Sequence, residues 1–380
     1  MDLKGAKSEK ILIDMSPLKS GGGLQLAYNF LDEFTTVETG DRVFYLLVPH
    51  GGFQEYRKHP KICKVLDVPR NIVLRYIFDN TKLQVFLKQQ KITKIFTFFG
   101  AGLPHPRGVQ SIVGVAYPSI CYDESAFWKY VSFKYTMRLR IVNYFWKRRL
   151  KIADVIFTET AVMKNRLLKV LPIAADKITI VPPAPSAYIS GESVRRNSEN
   201  ILLLSGALLQ KNLWRLYAVA EELQRMNCKV TFVVTVREED WKSALKESNI
   251  DDALVQAYFN FVGSVRQKEI ARVYNNAAAL LLLSDLESFS NNHMEAWKVG
   301  IPQIVSDRDF CRAICEDSAL YVEPHNPATV AQAIKQLMAD EHLQNLLVEN
   351  GKKRLALLPT QKERMNKIIS LIFDGDTETN

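Results

Sequence analysis

Short apolar runs alternate with segments of helical period along almost the whole chain, and this rhythm restricts the fold more than any other feature. In the first half, strands are expected at 11–15, 42–48, 93–98, 110–116, 153–158 and 178–181. In the second half they are expected at 201–205, 229–235, 258–262, 278–283, 302–305 and 319–322. Helical spacing fills the intervals, notably 22–34, 80–90, 124–150 and 161–171, and closes the chain at 327–339, 341–355 and 360–373. Near-continuous Val, Ile, Leu and Phe runs separated by helices are what a parallel sheet covered on both faces requires.

Between the two halves lies VPPAPSAYISGESVRRNSEN, residues 181–200, rich in Pro, Ser, Gly and Asn, which reads as a linker. A chain of 380 residues exceeds one ordinary core. The reading is therefore α/β: two doubly wound, Rossmann-like domains with an interdomain cleft. Ligands in such sheets bind beyond the carboxyl ends of the strands. With 47% hydrophobic residues the chain has ample apolar surface for two cores, which excludes a disordered or low-complexity protein. The charged start MDLKGAKSEK runs straight into the first strand, unlike a secretion signal, and no run approaches the roughly 20 apolar residues of a membrane span. A cytoplasmic chain is expected, with its five scattered cysteines as buried free thiols.

Three segments can carry chemistry. SGGGLQLAYNFL places Gly21, Gly22 and Gly23 between the first strand and a helix. Glycines admit a phosphate or sugar close to the backbone, and a helix N-terminus offers free N–H groups; a tight turn is the plainer reading. In SGALLQKNLWRLYAVAEEL, Lys211 precedes a helix built on Leu213, Leu216, Tyr217 and Ala220. A cation there opposes the helix dipole unless an anion shares the site, and a solvated surface lysine is the alternative. In LLLSDLESFSNNHMEAWKVGIPQIVS, Glu287 and Glu295 are separated by seven residues, with Ser288, Ser290, Asn291 and Asn292 between them. Two carboxylates flanked by small polar groups suit a sugar or ribose better than a metal. Helix capping is the structural role open to Asn291 or Asn292, while His293 faces away from Glu295.

The run ESFSNNHMEAWKVGIPQIVSD resembles the Glu-x7-Glu signature of glycosyltransferase family 4, usually E-G-F-G-L-P-x-x-E-A followed by G-x-P-V. The glycine segment, ADVIFTET, GALLQKN, FVGSVRQKEIARVYNNAAALLLLSD and DFCRAICEDSALYVEPHNP are similar to further family segments in the same order. The resemblance implies the GT-B fold. It implies an acceptor-binding domain at 1–185, a nucleotide-sugar-binding domain at 186–357, and a helix at 358–380 crossing back to the first. It also implies a retaining hexosyltransferase using a UDP- or GDP-sugar, with no cofactor and no metal. Glu287 would hold donor-sugar hydroxyls and Glu295 the ribose. Lys211 would neutralise the diphosphate, aided by N–H groups around Ser290, Asn291 and Asn292. Gly21, Gly22 and Gly23 would approach the donor phosphate or the acceptor.

This sequence departs from the family pattern at several points. The usual arginine near the lysine is missing, so either Arg215 or another basic residue substitutes or diphosphate binding relies more on Lys211, and Ser288 and Ser290 replace glycines. The first-domain His-Asp pair has no clear counterpart; Tyr117, Ser119, Asp123 and His105 are the acceptor-side candidates. A catalytically silent GT-B scaffold of a glycan-assembly complex is the alternative that these departures leave open.

The net charge of +9 is uneven: residues 1–185 hold 28 basic and 15 acidic side chains, leaving 22 and 26 for the remainder. Residues 127–151 alone carry eight Lys or Arg, eight aromatics and no acid. That segment reads either as a structural helix or as a peripheral contact with the cytoplasmic membrane face, where a lipid-linked glycan acceptor of surface polysaccharide or lipopolysaccharide synthesis would reside. No nucleic-acid module accompanies it.

Overall fold

A computed structural model describes residues 8–18, 21–186, 189, 199–245 and 250–373. The first half forms strands β1 (Lys10–Asp14), β2 (Val43–Pro49), β3 (Ile62–Val68), β4 (Lys94–Thr97), β5 (Gln110–Gly114), β6 (Val155–Thr158) and β7 (Ile178–Ile180). Its helices are α1 (Gly21–Thr36), α2 (Ile72–Asn80), α3 (Lys82–Gln90), α4 (Phe127–Tyr130), α5 (Phe133–Lys151) and α6 (Ala161–Val170). The second half forms β8 (Asn200–Leu203), β9 (Thr231–Val234), β10 (Phe259–Phe261), β11 (Ala279–Leu282), β12 (Gln303–Ser306) and β13 (Leu320–Val322). Its helices are α7 (Leu216–Arg225), α8 (Glu238–Ala244), α9 (Asp252–Tyr258), α10 (Gln267–Asn275), α11 (Asn291–Val299), α12 (Asp309–Cys315), α13 (Pro327–Ala339), α14 (Glu341–Ala356) and α15 (Gln361–Phe373).

These elements make two compact units. The first contains the described residues up to Cys121, Met137–Pro182, and those from Lys362 on; the second contains Tyr122–Thr136 and Pro183–Gln361. Residues 122–136 therefore belong to the second unit and not to the first, where the expected span of 1–185 would put them. Of the linker expected at 181–200, residues 187–188 and 190–198 lie outside the described residues, as do 374–380 of the C-terminal segment.

The first unit is a parallel sheet of order β3-β2-β1-β4-β5-β6-β7. Its register sets Ile11 beside Phe44 and Ile13 beside Phe96, which brings aromatic side chains from neighbouring strands together. Phe30, Phe34, Phe44, Phe96 and Phe157 form the centre of this core. The last helix, α15, completes it with Met365, Ile368, Ile369, Leu371 and Ile372. An internal ion pair, Arg364 to Glu159 at 2.8 Å with both side chains almost fully buried, fixes that helix. Breaking such a pair costs more than the pair itself contributes, so it specifies where α15 docks.

The second unit is a parallel sheet of order β10-β9-β8-β11-β12-β13. In both sheets the strand order reverses between the first strand of the unit and the fourth: β1 and β4 in one, β8 and β11 in the other. A crevice opens at that reversal, where connections leave in opposite directions.

Three helical expectations are corrected. Residues 124–150 do not form one helix: the chain is extended at Val131 between α4 and α5. Residues 72–80 form a helix of their own before α3. Gly21 to Gly23 stand in the first turn of α1 and not in a loop before it, while Ser20 lies outside the described residues. One strand, β3, was not expected. None of the five cysteines is in a disulfide, but only Cys121, Cys311 and Cys315 are buried; Cys63 is exposed and Cys228 half-buried.

Helix α11 packs on α14 through a close approach that a methyl group would not survive. A Cβ at Gly351 would stand 2.2 Å from Trp297 Cδ1. Gly351→Ala is expected to destabilise the second unit by about 1–3 kcal/mol despite the better helix propensity of alanine. Denaturant unfolding followed by tryptophan fluorescence checks this.

Candidate functional site

The loops that leave β8 and β11 meet at the strand reversal of the second sheet. Lys211 ends a short 3-10 turn, Leu209–Lys211, that follows β8. It does not adjoin a helix N-terminus as expected, because α7 begins only at Leu216. Its partner answers the question its position raised: Lys211 Nζ stands 2.7 Å from Glu287 Oε1. Glu287 is almost fully buried, and Lys211 is 19% exposed. Two charges held nearly out of water interact strongly and are poorly screened by salt.

Glu287 is followed by three residues, 288–290, that lead into α11. Ser290 is the residue before that helix and makes no side-chain capping bond. The first-turn N–H groups of α11, at the positive end of the helix dipole, thus receive no bond from the Ser290 hydroxyl. Asn291 and Asn292 do not cap. Asn292 Nδ2 donates to the carbonyl of Leu204 at 2.6 Å, tying the start of α11 to the end of β8. Asn291 Oδ1 is buried and accepts no hydrogen bond among the described residues.

One turn into α11, Glu295 is buried and accepts from the Tyr274 hydroxyl at 3.0 Å. Burial pushes its carboxyl above the usual carboxylate range, and the Tyr274 bond only partly offsets this. His293 belongs to the core: Nδ1 lies 2.8 Å from Gln303 Oε1 and 3.3 Å from Cys315 Sγ. Burial lowers its pKa, so the ring stays neutral and structural.

A residue not singled out in the sequence organises these loops. Asp285 is buried two positions before Glu287. Its Oδ2 accepts from Asn212 Nδ2 at 2.6 Å and from the Tyr130 hydroxyl at 2.7 Å, and lies 2.6 Å from His325 Nε2. Its Oδ1 accepts from Arg308 at 2.9 Å, and its N–H donates to the carbonyl of Gln210. Gln210 and Asn212 flank Lys211, so one carboxylate holds the loop of Lys211 against the loop of Glu287. Burial alone would raise its pKa; the bonds from Asn212, Tyr130 and His325 prevail and hold it below the usual range.

Arg215, the expected substitute for a missing arginine, contacts His325 at 3.0 Å and lies over the Trp214 ring. It is thus engaged with the Asp285 cluster. Residues 122–136 enter the same cluster through Tyr130 and through Ser125, whose hydroxyl donates to the Asp285 carbonyl at 2.8 Å.

In the first unit, Gly21, Gly22 and Gly23 open α1 beyond β1, at the strand reversal of that sheet. Asp14 ends β1: it is buried, with burial raising its carboxyl despite the Arg75 charge and the Ser16 hydrogen bonds. Tyr117 is partly exposed and rests against the Trp146 ring. Ser119 is locked to Asn143 and serves packing. Asp123 is exposed and belongs to the second unit. His105 Nε2 is buried without a partner among the described residues, while Nδ1 sits 3.2 Å from the Pro106 carbonyl.

Comparison with known proteins agrees with this architecture. Residues 188–354 match the family model described as Glycosyl transferases group 1. No curated protein matches the sequence. Sucrose-phosphate synthase from Thermosynechococcus elongatus superposes with a TM-score of 0.73 at 15% identity, over 97% of this chain and 100% of that one. WaaG, a glycosyltransferase involved in lipopolysaccharide biosynthesis, gives 0.72 at 13% identity, over 96% and 99%. Anabaena HepE in complex with UDP-glucose gives 0.69 at 12% identity, over 96% and 99%. The chain therefore has the GT-B fold, and residues 188–354, within its second unit, are similar to glycosyltransferases of group 1.

Proposed function

We propose that the protein is a retaining glycosyltransferase that moves a hexose or deoxyhexose from a UDP- or GDP-linked donor to a lipid-linked glycan acceptor in surface polysaccharide synthesis. The observation that carries this reading is the Lys211–Glu287 pair at the strand reversal, beside the uncapped start of α11. Transfer of a sugar expels a nucleoside diphosphate, so negative charge grows on the leaving oxygen. Lys211 and the α11 N–H groups supply fixed positive potential there, in a setting where burial strengthens it. Glu287 accepts hydroxyls of the donor sugar, and the unpartnered Asn291 Oδ1 offers a further acceptor. Glu295 takes the ribose, and Gly21, Gly22 and Gly23 let a phosphate or acceptor approach the α1 backbone. No metal or other cofactor enters this scheme. Tyr117 and His105 are assigned to the acceptor side. HepE, solved with UDP-glucose, supports a nucleotide-linked donor by likeness of fold.

The protein works, in this reading, on the cytoplasmic membrane face. No helix among the described residues is long and apolar enough to cross a membrane, so contact would be peripheral. The segment proposed for that contact, 127–151, needs trimming: Phe127 is buried and Tyr130 is committed to Asp285.

A panel of UDP- and GDP-sugars, assayed with membrane extract as acceptor, tests the activity; turnover with one donor is expected, and its loss in Glu287→Ala ties it to this site. The silent-scaffold alternative predicts no turnover and no nucleotide binding. A pH dependence follows as well. Glu295 must be ionised to accept two ribose hydroxyls, and its pKa is raised. Nucleotide affinity is expected to fall on acidification before ordinary carboxylates titrate near pH 4. Tyr274→Phe removes the bond that favours the ionised form, so it should move that fall to higher pH.

A further inference from the structure

Many of the large apolar side chains that remain in solvent are gathered on two helices. In α2, Ile72, Val73, Leu74, Tyr76 and Ile77 are each at least half exposed. In the part of α5 that belongs to the first unit, Met137, Ile141, Tyr144 and Phe145 are exposed too. Side chains of the two helices touch at two places. Tyr76 and Phe145 rings are 6.4 Å apart, and Asp79 of α2 accepts from Arg149 of α5 at 3.1 Å.

Asp79 is also the one acidic residue in either stretch, and it is buried between Arg75 and Arg149. Every exposed charge within the two stretches is therefore positive, namely Arg138, Arg140, Arg148 and Lys151, and the exposed Arg70 and Lys82 flank α2 in sequence. A water-facing helix normally turns its apolar residues inward. Here Arg75 and Asp79 of α2 are turned inward while Ile72, Tyr76 and Ile77 face out, an inversion that a purely structural helix does not need.

We infer that α2 and α5 together form a docking face for an anionic phospholipid surface. The chemistry selects that occupant. Cations attract acidic headgroups, aliphatic side chains enter the acyl boundary, and tyrosines suit the interface between the two. Nucleic acid would engage the cations but leave five exposed aliphatic and aromatic residues of α2 without a role. A second copy of the chain would bring the same cations together. This inference deepens the proposal of a lipid-linked acceptor: it rests on that reading for its purpose, but adds α2, which the charge of residues 127–151 did not reveal.

The test uses the full chain and flotation with vesicles of phosphatidylcholine, alone or with about 30% phosphatidylglycerol, the anionic fraction being the variable that sets surface potential. Flotation is expected with the anionic vesicles only, falling steeply as salt is raised, because screening shortens the reach of the charges. Ile72→Glu with Ile141→Glu, and separately Arg138→Glu with Arg140→Glu, are each expected to lower partitioning by roughly tenfold or more. Leu357→Glu, at an exposed apolar position of the second unit, should float as the parent does. All these positions are exposed, so unchanged melting temperatures confirm intact variants.

Equal flotation on neutral vesicles, or variants that float like the parent, would overturn the inference. So would duplex DNA binding that outcompetes the vesicles, or a dimer in solution that the glutamates dissociate. UDP and GDP melting shifts on the same samples separate the two claims. Nucleotide stabilisation without vesicle binding defeats the docking face alone; vesicle binding without nucleotide stabilisation defeats the site alone.

Discussion

Lys211→Ala is expected to reduce kcat by about 10²–10³-fold, the usual cost of removing one preorganised group that stabilises developing charge. Its physical origin is specific. The lysine ends a turn whose neighbours, Gln210 and Asn212, are both bound by Asp285, so the ammonium is held in place before any substrate arrives. Donor KM should change less than kcat: in the proposed reaction the donor diphosphate is already anionic when it binds, but the further charge on the leaving oxygen develops only as the glycosidic bond breaks. Glu287→Ala should be at least as damaging, since it removes the group proposed to accept the sugar hydroxyls and leaves Lys211 without its partner. The two losses should fall well short of adding in the double variant, because each single change already breaks the 2.7 Å pair. Steady-state kinetics on the four proteins reads this directly. Additive losses would mean that the pair does not act as a unit.

The second large effect concerns stability. Asp285→Ala removes an acceptor from Asn212, Tyr130, His325 and Arg308 at once. Truncating one partner of a buried ionic cluster typically costs about 3–5 kcal/mol, and that range is expected for the second unit. Asp285→Asn keeps the shape but loses the charge facing Arg308, so a smaller loss is expected. The same carboxylate makes stability depend on acid. Its folded pKa lies below that of an unfolded aspartate. The contribution is therefore complete above about pH 4 and is lost as pH falls through the lowered folded value. Acid unfolding of the second unit should begin at higher pH in Asp285→Asn, where this source of stability is already absent. Trp128, Trp214, Trp241 and Trp297 all lie in the second unit, so tryptophan emission mainly follows that transition.

Much of the architecture was legible because buried parallel strands need continuous apolar runs. LLLL at 280–283 and VTFVV at 230–234 can hardly be anything else. The missed strand, β3, is at the edge of its sheet, where Cys63 and Lys64 are exposed, so its pattern is broken by polar residues. The boundary between α4 and α5 was hidden because aromatic and basic residues continue through it without a proline or glycine.

At the site, the spacing of Glu287 and Glu295 and the position of Lys211 after the first strand of its unit were both readable. Their pairing could be read only once β8 and β11 were known to be neighbours. Asp285 was out of reach for a different reason. Its partners come from residues 130, 212, 308 and 325, four segments that nothing local connects. The one available signal was an acid directly after a buried strand run, LLLSD, and turns place aspartate there routinely. The pull of residues 122–136 into the second unit was invisible for the same reason: it depends on Tyr130 and Ser125 reaching that aspartate.

The central claim is that the loops of Lys211 and Glu287 receive a nucleoside diphosphate sugar. Calorimetric titration of the intact protein with UDP and with GDP tests it most directly, without knowledge of the acceptor. One of the two should bind, and the affinity should drop by about tenfold or more in Lys211→Ala, as expected when a charge-assisted contact to phosphate is lost. Heat from neither nucleotide, or equal binding in the parent and in Lys211→Ala, would contradict the account.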